Sequence, residues 1–334
     1  MKLSIIITQY KESLENCLNN FRVLNLQQNI NYDDYEIIIV NDFGVPLNQD
    51  DVKTYLSNYK NIQFINKETN TGPGDARNHG IDKATGDYIT FFDSEDFYQN
   101  LFVLSFFETI IHTNIDKNDV TFSQWVNPIK MNGQWVYPVN QVAPSWIFGI
   151  FYRRAFLDLH KIRFLPYKIW NEEHYFNQKI LTLTDKVAQV PYLTYVWNHN
   201  LDDPTSITTK DGQSYSYRIL PSWVKVWHET HKWKYNISKL QNGEVFNILV
   251  QAFFMIHNWE FLNPRAKPYL IQAENNISLY YKEFQHMIEK VSEEEKSNIY
   301  KSSAGSSNKI PNVSFDSWIN KISKMEATEQ NLLL

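Results

Sequence analysis

Residues Gly86 to Phe97 read Gly-Asp-Tyr-Ile-Thr-Phe-Phe-Asp-Ser-Glu-Asp-Phe, an apolar run that stops at three acids, Asp93, Glu95 and Asp96. Carboxylates crowded in this way repel one another unless positive charge sits among them. A divalent cation meets that need, and hard oxygen ligands suit Mg²⁺ or Mn²⁺. A cation so held could in turn grip a diphosphate. The plainer alternative is that Ser94 to Asp96 caps a following helix, where acids favour the positive end of the dipole. A second acidic pair, Glu172-Glu173, lies further along the chain.

The elements that must position these acids follow from periodicity. Leu3–Thr8, Tyr35–Val40, Ile62–Ile65 and Tyr88–Phe92 are short apolar runs of the buried-strand type. Helical spacing from Ser13, a short helix over Asp51–Tyr59, and a helix over Gly74–Ala84 begun by Gly72-Pro73-Gly74 separate them. Strands alternating with helices predict an α/β fold, a mostly parallel Rossmann-like sheet with helices on both faces. Ligands of such sheets bind outside the carboxyl ends of the strands, so Thr8, Asp42 and Asp93 are expected to line one crevice.

Beyond Asp119 the pattern changes. Val120–Val126 and Gln134–Val139 read as strands around an Asn132-Gly133 turn. Glu172-Glu173 falls inside a helix expected over Tyr167–Leu183, and Lys186–Trp197 returns to strand. After Ser214 helices dominate, at Trp223–Lys232, Gly243–Phe261 and Asn276–Lys290, the last with an apolar stripe from Ile277 to Val291. Ser302–Asn308 reads as a flexible linker before a short helix over Ser314–Lys324. The expected division is a catalytic region over residues 1-212, a helical region over 213-300, and a linker and tail over 301-334.

The chain has 334 residues, 43% hydrophobic and 15% aromatic, enough for a sizeable core. A net charge of −5 argues against a nucleic-acid binder. One cysteine, Cys17, fits a reducing compartment. The apolar run after Met1-Lys2 is too short for a signal peptide, and no stretch reaches the roughly 20 apolar residues needed to span a bilayer. A cytoplasmic protein is expected. The helical region over 213-300 could recognise a substrate or join copies of the chain, and its stripe at Ile277–Val291 could instead touch a membrane surface, though acids share that helix.

Asn70-Thr71-Gly72-Pro73-Gly74-Asp75-Ala76-Arg77-Asn78-His79-Gly80, then Ala84-Thr85-Gly86-Asp87-Tyr88, then Asp93-Ser94-Glu95-Asp96 form an ordered series. It resembles the family 2 glycosyltransferases of the GT-A fold over about the first 210 residues. That resemblance implies inverting transfer from a nucleotide sugar, through a bound Mn²⁺ or Mg²⁺, to a saccharide, lipid, cell-wall polymer or protein. It puts Thr8, Tyr10, Glu12, Asp42, Gly72, Asp75, Arg77, Asp93 and Ser94 at the donor. Asp42 would accept the imide N–H of a base, which suggests a UDP-sugar, although Asn41-Asp42-Phe43-Gly44 stands where the family reads Asp-Asp-Gly-Ser. Asp93, with Glu95 or Asp96, would hold the cation. His199, before a loop similar to the family's Ser-Ile-Thr segment, is a further candidate ligand. Glu173 best matches the general base, with Glu172 as its neighbour.

Trp125, Trp135, Trp146 and Trp170 lie between the two acidic sites and would suit a saccharide groove, or plain core. Two other functions fit parts of the pattern. A nucleotidyltransferase would carry a glycine-rich loop after the first strand, where this chain has Thr8-Gln9-Tyr10-Lys11-Glu12. A non-catalytic saccharide- or nucleotide-binding protein would keep the fold without the reaction.

Overall fold

The computed structural model describes residues 2–114, 118–131, 134–140, 146–198, 209–210, 213–214, 216–305 and 311–330. They divide into two compact units, residues 1–168 with 172–200, and residues 169–171 with 201–334.

In the first unit, β1 (Leu3–Gln9), α1 (Leu14–Asn25), β2 (Tyr35–Asn41), α2 (Gln49–Tyr55), β3 (Asn61–Asn66), α3 (Pro73–Lys83) and β4 (Tyr88–Asp93) alternate as expected. Leu3, Ile5, Ile6 and Ile7 of β1 are fully buried, as are Ile37, Ile38 and Val40 of β2, which is why these strands read as continuous apolar runs. There follow β5 (Phe97–Tyr98), α4 (Val103–Asn114), β6 (Val120–Val126), β7 (Ile129–Met131), β8 (Gln134–Val136), β9 (Val139–Asn140), β10 (Ile150–Arg153), α5 (Arg154–Leu159), α6 (Glu172–Leu183) and β11 (Val187–Val196). Among the described residues one sheet runs β3-β2-β1-β4-β10-β6-β11-β5, with β9 beside β6. It is parallel from β3 to β4. It turns mixed where β10 pairs antiparallel with both β4 and β6. Pairing of Thr8 with Asp93 and of Gln9 with Asn41 levels the carboxyl ends of β1, β2 and β4.

The structure departs locally from the sequence reading. The strand facing β8 across residues 132–133 is β7, not β6, which pairs instead with β9 and β11; the turn residues themselves lie outside the described ones. Helix α6 starts at Glu172 rather than at Tyr167, because Asn171 sits at φ 67°, a left-handed conformation that no right-handed helix contains. Ser302–Gly305, expected as linker, completes α10, while residues 306–308 lie outside the described ones.

In the second unit, short strands β12 (Thr209–Lys210) and β13 (Gln213–Ser214) precede α7 (Leu220–Asn236), α8 (Asn242–Leu262), α9 (Lys267–Ile288), α10 (Glu293–Gly305) and α11 (Phe315–Lys324). The stripe Ile277, Tyr280, Phe284, Met287, Ile288 and Val291 is consumed in this unit's own core, against α7 and α8 residues such as Val224, Val245 and Phe253. It therefore presents no apolar face to a membrane. Among the described residues no helix is long and apolar enough to cross one. Trp318 of α11 enters the same core at 2% exposure, its indole N–H donating to Glu274 at 3.2 Å. Trp318→Ala is expected to cost about 3–5 kcal/mol of that unit's stability, the usual penalty for emptying such a site; denaturant unfolding of wild type and variant measures it.

Candidate functional site

The site is built at the carboxyl ends of β1, β2 and β4, with α3 and α6 supplying the groups that face them. The glycine segment before α3 is shaped by Asp42, at the end of β2. Its Oδ2 accepts the Gly72 N–H at 2.9 Å and its Oδ1 the Thr71 N–H at 3.3 Å. Lys67, 4% exposed, sets its ammonium 2.6 Å from Asp42 and 2.8 Å from Asp75. Burial would raise the Asp75 carboxyl, but the bonds from Lys67 and Thr71 outweigh it and hold it below its usual range. Lys67 was missed in the sequence because a single lysine after a strand carries no signal of its own.

The next loop, Asn41-Asp42-Phe43-Gly44, is pinned by Asn41. Its side chain accepts the Gly44 N–H at 2.8 Å and donates to the Gly44 carbonyl at 2.9 Å. A Cβ on Gly44 would sit 1.2 Å from the Tyr10 carbonyl oxygen, so only glycine fits against the end of β1. Phe43 is held at φ 63° and is 59% exposed. On the β1 side, Tyr10 is half-buried, and Glu12 accepts the Tyr10 N–H at 2.7 Å.

Arg77 is the centre of the site. It is 1% exposed. One terminal nitrogen donates to Glu172 Oε1 at 2.5 Å and the other to Asp93 Oδ1 at 2.7 Å, while Glu173 Oε1 lies 3.7 Å away. Burial alone would lower the guanidinium, but Asp93, Glu172 and Glu173 reverse that and keep it charged. The two acidic groups that are distant in sequence therefore meet at one cation. Gly74 permits this, since a Cβ there would lie 2.9 Å from Glu172 Cγ. Asn78, one residue after Arg77, exchanges two hydrogen bonds with the backbone of Phe164, at 2.8 and 3.0 Å. That fixes the segment leading to α6 against α3.

The acids differ in environment. Glu172 is 3% exposed and tied to Arg77; burial raises its carboxyl, and Arg77 opposes the rise. Glu173 is pushed up to about 8, first by burial and then by the Glu172 charge. Thr8 donates to Asp93 at 3.3 Å, and Ser94, buried, donates its backbone N–H to the Thr8 carbonyl at 3.1 Å. Glu95 is pushed up to about 7 by burial and by the charges of Asp93 and Glu12. Asp96 is 1% exposed and engaged by the Tyr195 hydroxyl and, at 2.8 Å, by the Asn198 N–H. Neither partner was anticipated, because both come from the far end of β11.

Among the described residues no group of three or more His, Cys, Asp or Glu is arranged to hold a metal ion; His199 lies outside them. The donor set at Asp93 and Glu95 nevertheless fits a hard divalent cation. Both are carboxylates, and Asp93 keeps 33% of its side chain exposed, so a hard cation could reach it.

The clamp at Arg77 generates a stability prediction. Arg77→Met leaves the buried Glu172, with Glu173 and Asp93 beside it, without a cation, and a loss of about 3–5 kcal/mol is expected at pH 7. Without the guanidinium, the Glu172 and Glu173 carboxyls, already raised by burial and held back by Arg77, rise further above their unfolded values. The folded variant then holds more protons than the unfolded chain, so its deficit should shrink as pH falls toward 5. Denaturant titrations at pH 5 and pH 7 give the comparison, and an equal deficit at both would contradict the clamp.

Comparison with known proteins agrees with this geometry. The model for "Glycosyl transferase family 2" matches residues 4–170. A poly(ribitol-phosphate) beta-glucosyltransferase of Bacillus spizizenii is 36% identical over 100 residues, 29% of this chain but only 15% of that protein's length. The chain thus spans a small part of that relative. A putative glycosyltransferase, EpsH of Bacillus subtilis, is 22% identical over 284 residues, 77% of each chain. The structure of S. aureus TarS 1-349 in complex with UDP-GlcNAc superposes with a TM-score of 0.57 at 18% identity, over 92% of this chain and 93% of that one, a likeness of fold. With the family model covering half of its length, the chain belongs to glycosyl transferase family 2.

Proposed function

We propose that the protein transfers a sugar, with inversion, from a UDP-sugar to an acceptor hydroxyl, using Glu173 as the general base. The observation that carries this reading is the Arg77 clamp, which brings Asp93 and Glu172-Glu173 to the two terminal nitrogens of one guanidinium. Residues 1–212 form the catalytic region in this reading.

Each group then has a task. Asp42 Oδ2 accepts the Gly72 N–H and keeps one lone pair free for the imide N–H of uracil. Lys67 and the glycine turn fix that carboxylate in place. Asp93 and Glu95 are the residues that would hold a Mg²⁺ or Mn²⁺. Such a cation, when bound, supplies charge neutralisation at the leaving diphosphate. Asp96, engaged by Tyr195 and Asn198, braces the cluster instead of ligating. Glu173 takes the proton of the attacking hydroxyl. A bond forms from that oxygen to the anomeric carbon as the bond to the diphosphate oxygen breaks, and the electron pair leaves with UDP. Glu172, ion-paired with Arg77, positions α6, and its charge raises the proton affinity of Glu173 beside it.

The donor is tested by melting the protein with a panel of nucleotides and UDP-sugars, with and without Mn²⁺. Uridine compounds should raise Tm by mass action, most strongly with the metal present. A larger rise with ADP or GDP than with UDP would move the donor to another base.

The base is tested by Glu173→Gln. Transfer should fall by about 10²–10⁴-fold, while the Tm rise with UDP stays near that of wild type, since the variant loses the base and not the clamp. For wild type, the active form of Glu173 is the deprotonated one, so kcat/KM should climb with pH toward about 8 and level off above it. A profile flat from pH 6 to 9, or full activity in Glu173→Gln, would place the base elsewhere.

A further inference from the structure

The four tryptophans between the acidic sites do not share one fate. Trp125 is buried at 7% exposure, and Trp170 is half-buried. Trp135 stands 58% exposed on β8. Trp146 is different again: it is 36% exposed at one end of an ordered series of rings. It lies parallel to Phe148, with centroids 5.7 Å apart and planes 4° apart. Phe148 stacks on Tyr195 at 5.1 Å and 20°, and Tyr195 on Phe92 at 4.9 Å and 25°. Trp197 flanks the open end, 6.2 Å from Trp146 and 5.6 Å from Phe148.

The far end of the series is the acidic site itself. Phe92 immediately precedes Asp93, and the Tyr195 hydroxyl bonds to Asp96. The near end is fixed to the helix that carries the proposed base. Asn177, one turn beyond Glu173 on α6, donates its side-chain amide to the Trp146 carbonyl at 2.7 Å and accepts the Tyr152 hydroxyl at 2.9 Å. Asn177 is 1% exposed, so this tie is rigid. The indole is therefore linked to the acids through neighbouring rings, and through its own backbone carbonyl to the helix that carries Glu173. Rings buried in the core need no such connection to two separate parts of a site.

We propose that Trp146 is an acceptor-binding residue that stacks on a pyranose ring, so that the acceptor is a hexopyranose oligosaccharide or polysaccharide. This rests on the glycosyl-transfer reading above. The chemistry selects between acceptor classes. A pyranose has one face of axial C–H groups, which stacks on an indole and buries apolar area. An acyclic polyol phosphate such as ribitol or glycerol phosphate has no flat face, and its charge calls for cations, whereas every ring of this stack is neutral. Trp146 engages a sugar beyond the one whose hydroxyl is attacked, because the stack separates it from Asp93. Acceptors of two or more rings are then favoured over monosaccharides.

The full-length protein should be applied to an array of immobilised hexopyranose oligosaccharides together with poly(ribitol phosphate) and poly(glycerol phosphate). Wild type, Trp146→Ala, Trp146→Leu and Trp146→Phe are compared, each with a UDP melting curve as the check on folding and on the donor. Wild type should retain at least one pyranose oligosaccharide and neither polyol phosphate. Trp146→Leu, which fills the space without a ring, should lose at least tenfold in that binding, as should Trp146→Ala if it folds. Trp146→Phe should keep most of it. Retention of polyol phosphates alone, no pyranose retained, or undiminished binding by Trp146→Leu overturns the proposal. Absence of a UDP shift in wild type would instead remove the donor reading, and the array result would still decide the role of Trp146.

Discussion

A guanidinium with almost no water around it holds this site together. Taking one cation and three carboxylates out of solvent costs several kcal/mol per ion, and their attraction repays it only with close, hydrogen-bonded geometry. Arg77 meets that condition with contacts of 2.5 and 2.7 Å to acids from two different elements. Asp93 comes from the end of a central strand and Glu172 from the first turn of α6. Neither element can shift without leaving charge unpaired in a dry setting. The clamp thus sets a distance between the two acidic groups that hydrophobic packing alone would leave loose. It also carries net negative charge, three acids against one base, which is the polarity a divalent cation would complete.

The surrounding motif exists to let that clamp form. Gly74 clears the path of Glu172, and Gly80 brings α3 down onto β1, where a Cβ would lie 2.4 Å from Ile6 Cγ2. Asn78 ties α3 to Phe164, whose ring stacks on Phe176 of α6 at 4.0 Å and 2°. Further back, buried Glu36 accepts from Ser4, Thr85 and the Gly86 N–H, so the Ala84-Thr85-Gly86 turn enters β4 in fixed register with β1. Most of the segment from Asn70 to Gly86 is therefore scaffold. Its glycines and amides work by close approach and by saturating backbone groups, and Arg77 is the member that carries the charge.

This explains what could be read from the sequence. Strands β1, β2 and β4 were legible because they are buried on both faces, and helix α3 because glycine and proline punctuate its start, so local pattern and tertiary role agree. Arg77 was legible as a member of the donor site, but that its guanidinium joins Asp93 to Glu172 was not. The pairing of residues 129–131 with 134–136 was not, because a turn signal names the turn and not the partner strand. Nor was the start of α6, which depends on a single left-handed Asn171. Lys67, Asn177 and Tyr195 escaped for a related reason. Each acts through a partner 25 or more residues away in the chain, as in the Lys67–Asp42 pair, and a polar residue with a distant partner looks like any other polar residue.

The same clamp divides labour between adjacent acids of like chemistry. Glu172 and Glu173 differ by one helical position, roughly 100° around the α6 axis, and only one of them can face Arg77 squarely. The one that does is tied up by the cation and is poorly placed to accept a proton from anything else. The one that does not keeps 13% of its side chain exposed, sits beside the Glu172 charge, and gains proton affinity from its desolvation and from that charge. A carboxylate made more basic by its surroundings takes a proton more readily from an alcohol than an exposed one would. The order of roles therefore follows from which acid the guanidinium claims. Exchanging them would require Arg77 to turn away from Asp93, which would release the cluster at the end of β4.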